Sequence, residues 1–278
     1  MLNALTIDVE DYYHVSAFES IIKFEDWGRF ESRVEKNTLK ILELLNTFKI
    51  KATFFILGWI AERSPQMVKE IQKEGHEIAC HGYRHQLVYE IGPEKFREDI
   101  IRSKKILEDI IGKEVIGYRA PSYSIIKKSL WALDILIEEG FKYDSSIFPI
   151  RHDRYGIPDF SRFSKKINLN GKGEILEIPL STIRLLNSNF PIAGGGYFRL
   201  FPYLLFKRGI NRINKVDKQP AVFYFHPWEI DAEQPVQRVG VKTRFRHYLN
   251  LKKTEGRLKR LLSDFKWGRI SDLGVNYT

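Results

Sequence analysis

His81-Gly-Tyr-Arg-His85 sets two imidazoles four residues apart, and a helical turn there would aim both at one divalent cation. Read alone, the pair is equally a couple of surface histidines in a turn. Asp8-Val-Glu10-Asp11 adds carboxylates at the end of an apolar run, where an unpartnered charge is costly to bury. If that run is a strand, two-residue alternation puts Asp8 and Glu10 on one face and Asp11 on the other. One carboxylate can then bind metal while its neighbour handles protons, with Asp11 left open as the ligand. Arg119, in Tyr118-Arg119-Ala-Pro121-Ser122, ends another run with a guanidinium that can fork onto a carboxylate. Asp144 is either a further strand-end carboxylate or a turn initiator. His226 follows the apolar Phe223-Tyr-Phe and can serve as a general acid, the alternative being a satisfied core histidine. Cys80 directly precedes His81 and reads as a packed core thiol.

Positioning these groups requires several strand ends to meet. Apolar runs at residues 2–9, 52–57, 76–80, 115–118, 141–143, 175–180 and 221–225 read as strands. Between them, 34–48 is helical with Leu39, Leu42, Leu45 and Phe48 on one stripe, and Ser64-Pro65 opens a helix that Gly75 closes. Gly92-Pro93 opens another carrying Phe96, Ile100, Leu107 and Ile111, and 129–139 is a fourth, whereas 149–173 reads as irregular loop. Repeating strand-helix units predict an α/β fold with a parallel sheet. Polar groups at the ends of different strands favour closure into a barrel, whose sites assemble at the C-terminal mouth.

A chain that is 43% apolar and 13% aromatic excludes disordered, collagen-like and coiled-coil classes. The single cysteine permits no internal disulfide. The longest apolar run, 52–61, is about half the roughly 20 residues of a membrane-spanning helix. The first residues carry no basic leader or cleavage site, so the expected location is cytoplasmic. The formal charge is +10, but eleven Lys or Arg against Glu255 and Asp264 between Arg238 and Arg269 contribute +9 of it. Residues 1–237 are therefore read as the barrel and 238–278 as a basic extension packed on it. Nucleic acid is not expected as a partner, and the basic segment 238–269 makes an anionic membrane the candidate contact. Leu258, Leu261, Leu262 and Phe265 form its apolar stripe, which suits either an interfacial helix or one docked on the barrel. Gly194-Gly195-Gly196 lacks a following Gly-Lys-Ser/Thr, so a mobile loop or a close backbone approach is expected there rather than phosphate binding.

In order and spacing, Thr6-Ile-Asp8-Val-Glu10, His81-Gly-Tyr-Arg-His85, Arg119-Ala-Pro121 and His226 resemble the successive motifs of the polysaccharide deacetylases, carbohydrate esterase family 4 with the NodB homology domain. The resemblance runs from about residue 3 to 230. Gly-Gly-Gly-Tyr-Phe-Arg-Leu-Phe-Pro and the tail beginning Arg244-Phe-Arg-His further resemble a bacterial subgroup linked to exopolysaccharide and exosortase loci. The family resemblance implies a distorted (β/α) barrel, here with a C-terminal helical extension, that removes N-acetyl groups from a polysaccharide or its lipid-linked precursor. Carried over, Glu10, His81 and His85 hold a divalent ion, Zn2+ by preference. Asp8 is the base, Arg119 orients it, and His226 is the acid. Backbone donors near Ser122 and Tyr123 would face the oxyanion, Trp228 the sugar, and Asp144 would tune His226. The family's adjacent Asp-Asp is Asp-Val-Glu here, and Ser122 replaces the aromatic residue after the proline. Competing readings are a ureide or cyclic-amide hydrolase of related fold, and a membrane or nucleic-acid binding module that uses the basic tail.

Overall fold

The computed structural model describes residues 1–168 and 173–274. Its strands are β1 (Leu2–Val9), β2 (Thr53–Ile56), β3 (Glu77–Cys80), β4 (Gly117–Tyr118), β5 (Tyr143–Asp144), β6 (Lys165–Asn168), β7 (Glu174–Glu177), β8 (Thr182–Leu185), β9 (Ser188–Pro191), β10 (Val222–Phe225) and β11 (Lys266–Gly268). Helices α1 (Val34–Thr47), α2 (Gly58–Arg63), α3 (Pro65–Lys73), α4 (Val88–Ile111) and α5 (Trp131–Glu138) connect the early strands. The later ones are α6 (Gly195–Leu200), α7 (Tyr203–Arg212), α8 (Val241–Tyr248) and α9 (Leu251–Asp264).

Strands β10, β1, β2, β3, β4, β5 and β7 pair in that order and all run parallel, with β6 antiparallel on the β7 edge and β11 parallel to β1. Period-two alternation divides the side chains. Leu5, Ile7, Val9, Phe54 and Ile56 join the large core, while Ala4, Phe55, Ala79, Tyr143, Leu176 and Val222 meet in a second cluster with Ile270. One cluster fed by six strands requires the sheet of this α/β fold to curl around it.

The curl is not closed by continuous strand pairing. Between β7 and β10, the Val222 N–H donates to Ser181 Oγ at 2.7 Å and the Tyr224 N–H to the Ala193 carbonyl at 2.7 Å. Gly194 makes an isolated bridge to Tyr224. Its φ is +130°, and a Cβ there would lie 1.8 Å from the Tyr224 carbonyl oxygen, so only glycine fits. The triple-glycine run thus brings backbone against backbone.

Other expectations need revision. The apolar run 52–61 is strand only to Ile56; Gly58 then starts α2, packed so closely that a Cβ would meet Ser103 Oγ at 2.8 Å. In α1 the buried face is Val34, Thr38, Ile41, Leu42 and Leu45, and Leu39 is exposed. β6 lies inside the stretch read as loop, and the β8–β9 hairpin and β11 are additional. Residues 169–172 of that loop and 275–278 of the extension lie outside the described residues.

The apolar stripe of α9 docks on the barrel: Leu258, Leu261 and Leu262 are buried, and Phe265 packs on the core. The interfacial-helix reading of this segment is corrected accordingly, since its apolar face is already covered. β11 joins the sheet behind it, and the Ile270 N–H donates to Thr53 Oγ1 at 2.8 Å. No helix among the described residues is long and apolar enough to cross a membrane.

The close approach at the barrel seam predicts that Gly194→Ala lowers unfolding free energy by about 2–4 kcal/mol. Gly196→Ala, where the nearest atom is the far end of Arg199 at 3.9 Å, should change it by less than about 1 kcal/mol. Urea denaturation of both variants measures the difference.

Candidate active site

Glu10 lies one residue past β1, His81 one residue past β3, and His85 in the turn beyond. Glu10 Oε1 is 3.0 Å from His81 Nε2 and 3.0 Å from His85 Nε2, and all three residues are buried. His81 Nδ1 sits 2.7 Å from the Arg119 carbonyl, which must accept a proton, so the His81 lone pair is on Nε2 and faces the carboxylate. Two acceptors repel at that distance, and a cation between them removes the conflict. Two imidazoles and one carboxylate, with donor atoms all within 4.8 Å of one another, are the donor set of a divalent transition metal. The histidines converge through a turn with Gly82 at φ +74° and His85 at φ +52°, not through the helical turn expected. Burial works against ionising Glu10, but His85, His226 and His81 together hold its carboxyl well below the usual range.

Asp11 points the other way. Its Oδ2 accepts from Ser32 Oγ at 3.0 Å, the Arg33 N–H at 2.7 Å and the Val34 N–H at 3.0 Å, which makes it a cap for α1 supplied from a distant loop. Glu10 is the acidic member of the cluster.

Asp8 stands beside it, held by Arg119. The Arg119 guanidinium is completely buried over the Phe55 ring and donates from Nη1 to Asp8 Oδ1 at 2.6 Å and to Thr6 Oγ1 at 2.7 Å. Ser145 takes its remaining donors, Nε on the carbonyl and Nη2 on Oγ. The Tyr123 hydroxyl donates to the other Asp8 oxygen at 3.4 Å.

Across the mouth, His226 Nε2 is 3.7 Å from Glu10 Oε1, and its Nδ1 is 2.7 Å from Glu229 Oε1. Burial would lower the His226 pKa, but Glu10, Glu229 and Asp8 outweigh it and raise it to about 9. A divalent cation on Glu10 would cancel part of that contribution. Glu229 is itself buried, with Arg199 Nε donating to its Oε2 at 2.7 Å. Arg199 and His226 hold it ionised against the cost of burial.

Residues 20–136 match the polysaccharide deacetylase family model, and residues 145–274 match a domain of unknown function, DUF3473. A peptidoglycan-N-acetylglucosamine deacetylase of Bacillus cereus is 38% identical over 98 residues, 35% of this chain and 36% of the relative. Over residues 20–136 the chain is thus similar to the polysaccharide deacetylases. The chain spans less than half the length of the curated relatives it matches. In fold it is similar to a probable polysaccharide deacetylase of Pseudomonas aeruginosa PAO1 (TM-score 0.60, 14% identity, 98% of this chain and 89% of that one). It is equally similar to PuuE allantoinase (TM-score 0.60, 16% identity, 98% and 88%).

The segment matching the polysaccharide deacetylase model contains His81, His85 and Arg119, whereas Arg199, His226 and Glu229 fall in the segment matching DUF3473. Two expected members of the site do not make the expected contacts. Asp144 turns towards Ser146 and towards Glu177 across the β5–β7 pairing, so it cannot tune His226; Glu229 occupies that place. Trp228 is 5% exposed and stacked against the rings of both His226 and His247, which leaves no face for a sugar. Ser122 Oγ is 2.7 Å from Ser16 Oγ, and the Tyr123 N–H is committed to the Ala120 carbonyl, so Tyr123 meets the site through its hydroxyl. Cys80 is buried, and its thiol is pushed up to about 12 by that burial, as suits a core residue.

Sequence reasoning missed Glu229 and Arg199. A carboxylate three residues beyond His226, behind a proline, was the available signal for Glu229, since it caps the same short turn that His226 begins. Nothing in the spacing announces Arg199.

Metal-stripped protein should take up one divalent ion per chain, and His81→Ala or His85→Ala should abolish it. Asp11→Ala should keep the metal yet lose about 1–3 kcal/mol of stability, read by calorimetry and urea denaturation. The carboxyl of Asp144 is raised to about 6 by burial beside Glu177. An acid raised in the folded state binds more protons there than when unfolded, so stability should fall as pH rises from about 4 to about 7. Asp144→Asn should flatten that fall.

Proposed function

We propose that the chain is a metal-dependent hydrolase that removes N-acetyl groups from a glycan. The observation carrying this reading is the meeting of three parts at one barrel mouth: the Glu10–His81–His85 cluster, Asp8 held by Arg119, and His226 held by Glu229. Zinc is the metal proposed for Glu10, His81 and His85. When bound there, it supplies Lewis-acid polarisation of the acetyl carbonyl and a water of lowered pKa.

The remaining chemistry belongs to side chains. Asp8 accepts the proton of the attacking water, and Arg119 fixes which carboxylate oxygen faces it. The water oxygen bonds to the acetyl carbon while the carbon–nitrogen bond breaks. His226, with Nδ1–H directed to Glu229, delivers its Nε2 proton to the departing nitrogen, so an amine and acetate leave without an amide anion. The Tyr123 hydroxyl beside Asp8 is positioned to follow charge on the substrate oxygen.

The substrate proposed is an exopolysaccharide or its lipid-linked precursor. The motif resemblance around residues 194–202 and 244–251 supports it, as do relatives named as deacetylases of peptidoglycan. The similarity to an allantoinase supports fold alone and makes a ureide the control substrate.

Acetate release from N-acetylglucosamine oligomers should fall at least about 100-fold with chelator and return with zinc, and Asp8→Asn should lose about 100- to 10,000-fold. Turnover of a ureide above that of the acetylated sugar, or activity that survives metal removal, would contradict the reading.

A further inference from the structure

The deacetylase-family segment and the segment of unknown function divide the mouth between them. Asp8 and Glu10 precede the first, which carries His81, His85 and Arg119, while everything that touches the distal face of His226 comes from residues 145–274. Behind Glu229 lies an ion pair in an unusual place. Arg199 is 3% exposed and Glu229 is 1% exposed, and a buried pair of this kind returns little net stability for the desolvation it costs.

The Arg199 guanidinium is fixed from two directions. Its Nε holds Glu229, and its Nη1 donates to the carbonyls of His247 at 2.5 Å and Leu249 at 3.2 Å, which close the C-terminal end of α8. The Arg199 carbonyl in turn accepts from Asn250 Nδ2 at 2.8 Å and Arg257 Nη1 at 2.9 Å, from the start and middle of α9. The opposite side of the network is packed by rings. Trp228 stacks on His226 and on His247, whose Nε2 is bonded to Gln234 Oε1 at 2.7 Å.

The triple-glycine run sets the origin of this clamp. Gly194 lies on the Tyr224 backbone, and a Cβ on Gly195 would meet the Tyr224 hydroxyl at 2.4 Å, so both glycines let α6 start against β10. Arg199 is on α6, one turn further on, and His226 is two residues beyond Tyr224. The seam that closes the barrel therefore also registers Arg199 under Glu229.

We propose that the segment of unknown function builds the proton-donor half of the site. Arg199 is its positioning residue, bridging Glu229 and His226 to the carbonyl end of α8. Glu229 Oε1 also accepts from the His226 backbone N–H at 3.1 Å, so the two ends of the carboxylate are held from opposite sides. With Oε2 held by a guanidinium that is itself pinned to α8 and α9, Oε1 remains on Nδ1 and His226 Nε2 remains directed at the mouth. This inference rests on the deacetylase reading for its chemistry, since a proton donor matters only when the leaving group needs a proton.

Leaving-group dependence separates this role from simple stabilisation. In the zinc-loaded full chain, Arg199→Gln should lower kcat on N-acetylglucosamine oligomers by about 10- to 100-fold, with KM within about 2-fold. Hydrolysis of p-nitrophenyl acetate, whose phenolate departs without a proton, should change by less than about 3-fold. Glu229→Gln, which keeps the shape of the side chain, should give the same split if Arg199→Gln fails to fold. Equal losses on both substrates, or no loss on the amide, would overturn the inference. An independent arm follows the His226 Nδ1 proton by NMR in 15N-histidine-labelled protein. It should be protected in the wild type and exchange rapidly in Arg199→Gln, and an unchanged signal would overturn the clamp. If the wild type releases no acetate, the deacetylase reading fails, while the NMR arm still decides whether Arg199 holds the Glu229–His226 pair.

Discussion

One carboxylate oxygen faces two imidazole nitrogens at 3.0 Å inside a buried mouth, and most of the architecture serves to make that arrangement tolerable. His81 can present a lone pair to Glu10 only because its other nitrogen is tied to the Arg119 carbonyl. Asp8, two residues before Glu10, is held in the same small volume by the Arg119 guanidinium at 2.6 Å. Three strand ends, β1, β3 and β4, must therefore stay in register, and the lumen cluster beneath them supplies the stiffness.

The second half of the chain answers the same electrostatic demand from the other side. Glu229 offsets the charge that His226 carries when protonated, and Arg199 offsets Glu229. The alternation of sign from Glu10 to His226 to Glu229 to Arg199 spreads buried charge along a line that ends on backbone carbonyls of α8. Such a chain binds the C-terminal helices to the chemistry, although among the described residues the cluster that would hold the metal is Glu10, His81 and His85.

Much of the site was legible in the sequence because strand-end residues after apolar runs must face a mouth if the strands are parallel. Asp8, Glu10, His81, Arg119 and His226 follow that rule, His85 was legible only through its spacing from His81, and period-two alternation separated Asp11 from Glu10. Asp144 obeys the same rule and still lies outside the site, because in a two-residue strand its side chain falls on the outer face, opposite Glu177. Trp228 could not be distinguished from a sugar platform until His247, nineteen residues later, was found against it. The pairing of Glu229 with Arg199 depends on α6 meeting β10 through two glycines, and no local pattern encodes that contact. In the fold, β11 escaped notice because three residues between charged helices carry no periodicity, yet it brings Ile270 into the lumen.

X-ray absorption spectroscopy at the edge of the metal bound by the full chain tests most directly whether Glu10, His81 and His85 form one centre. Two imidazole nitrogens with oxygen making up the remaining shell, and no bound metal in His85→Ala, are the result predicted. A shell containing sulfur from Cys80, or one without imidazole, would contradict the site on which the proposed chemistry depends.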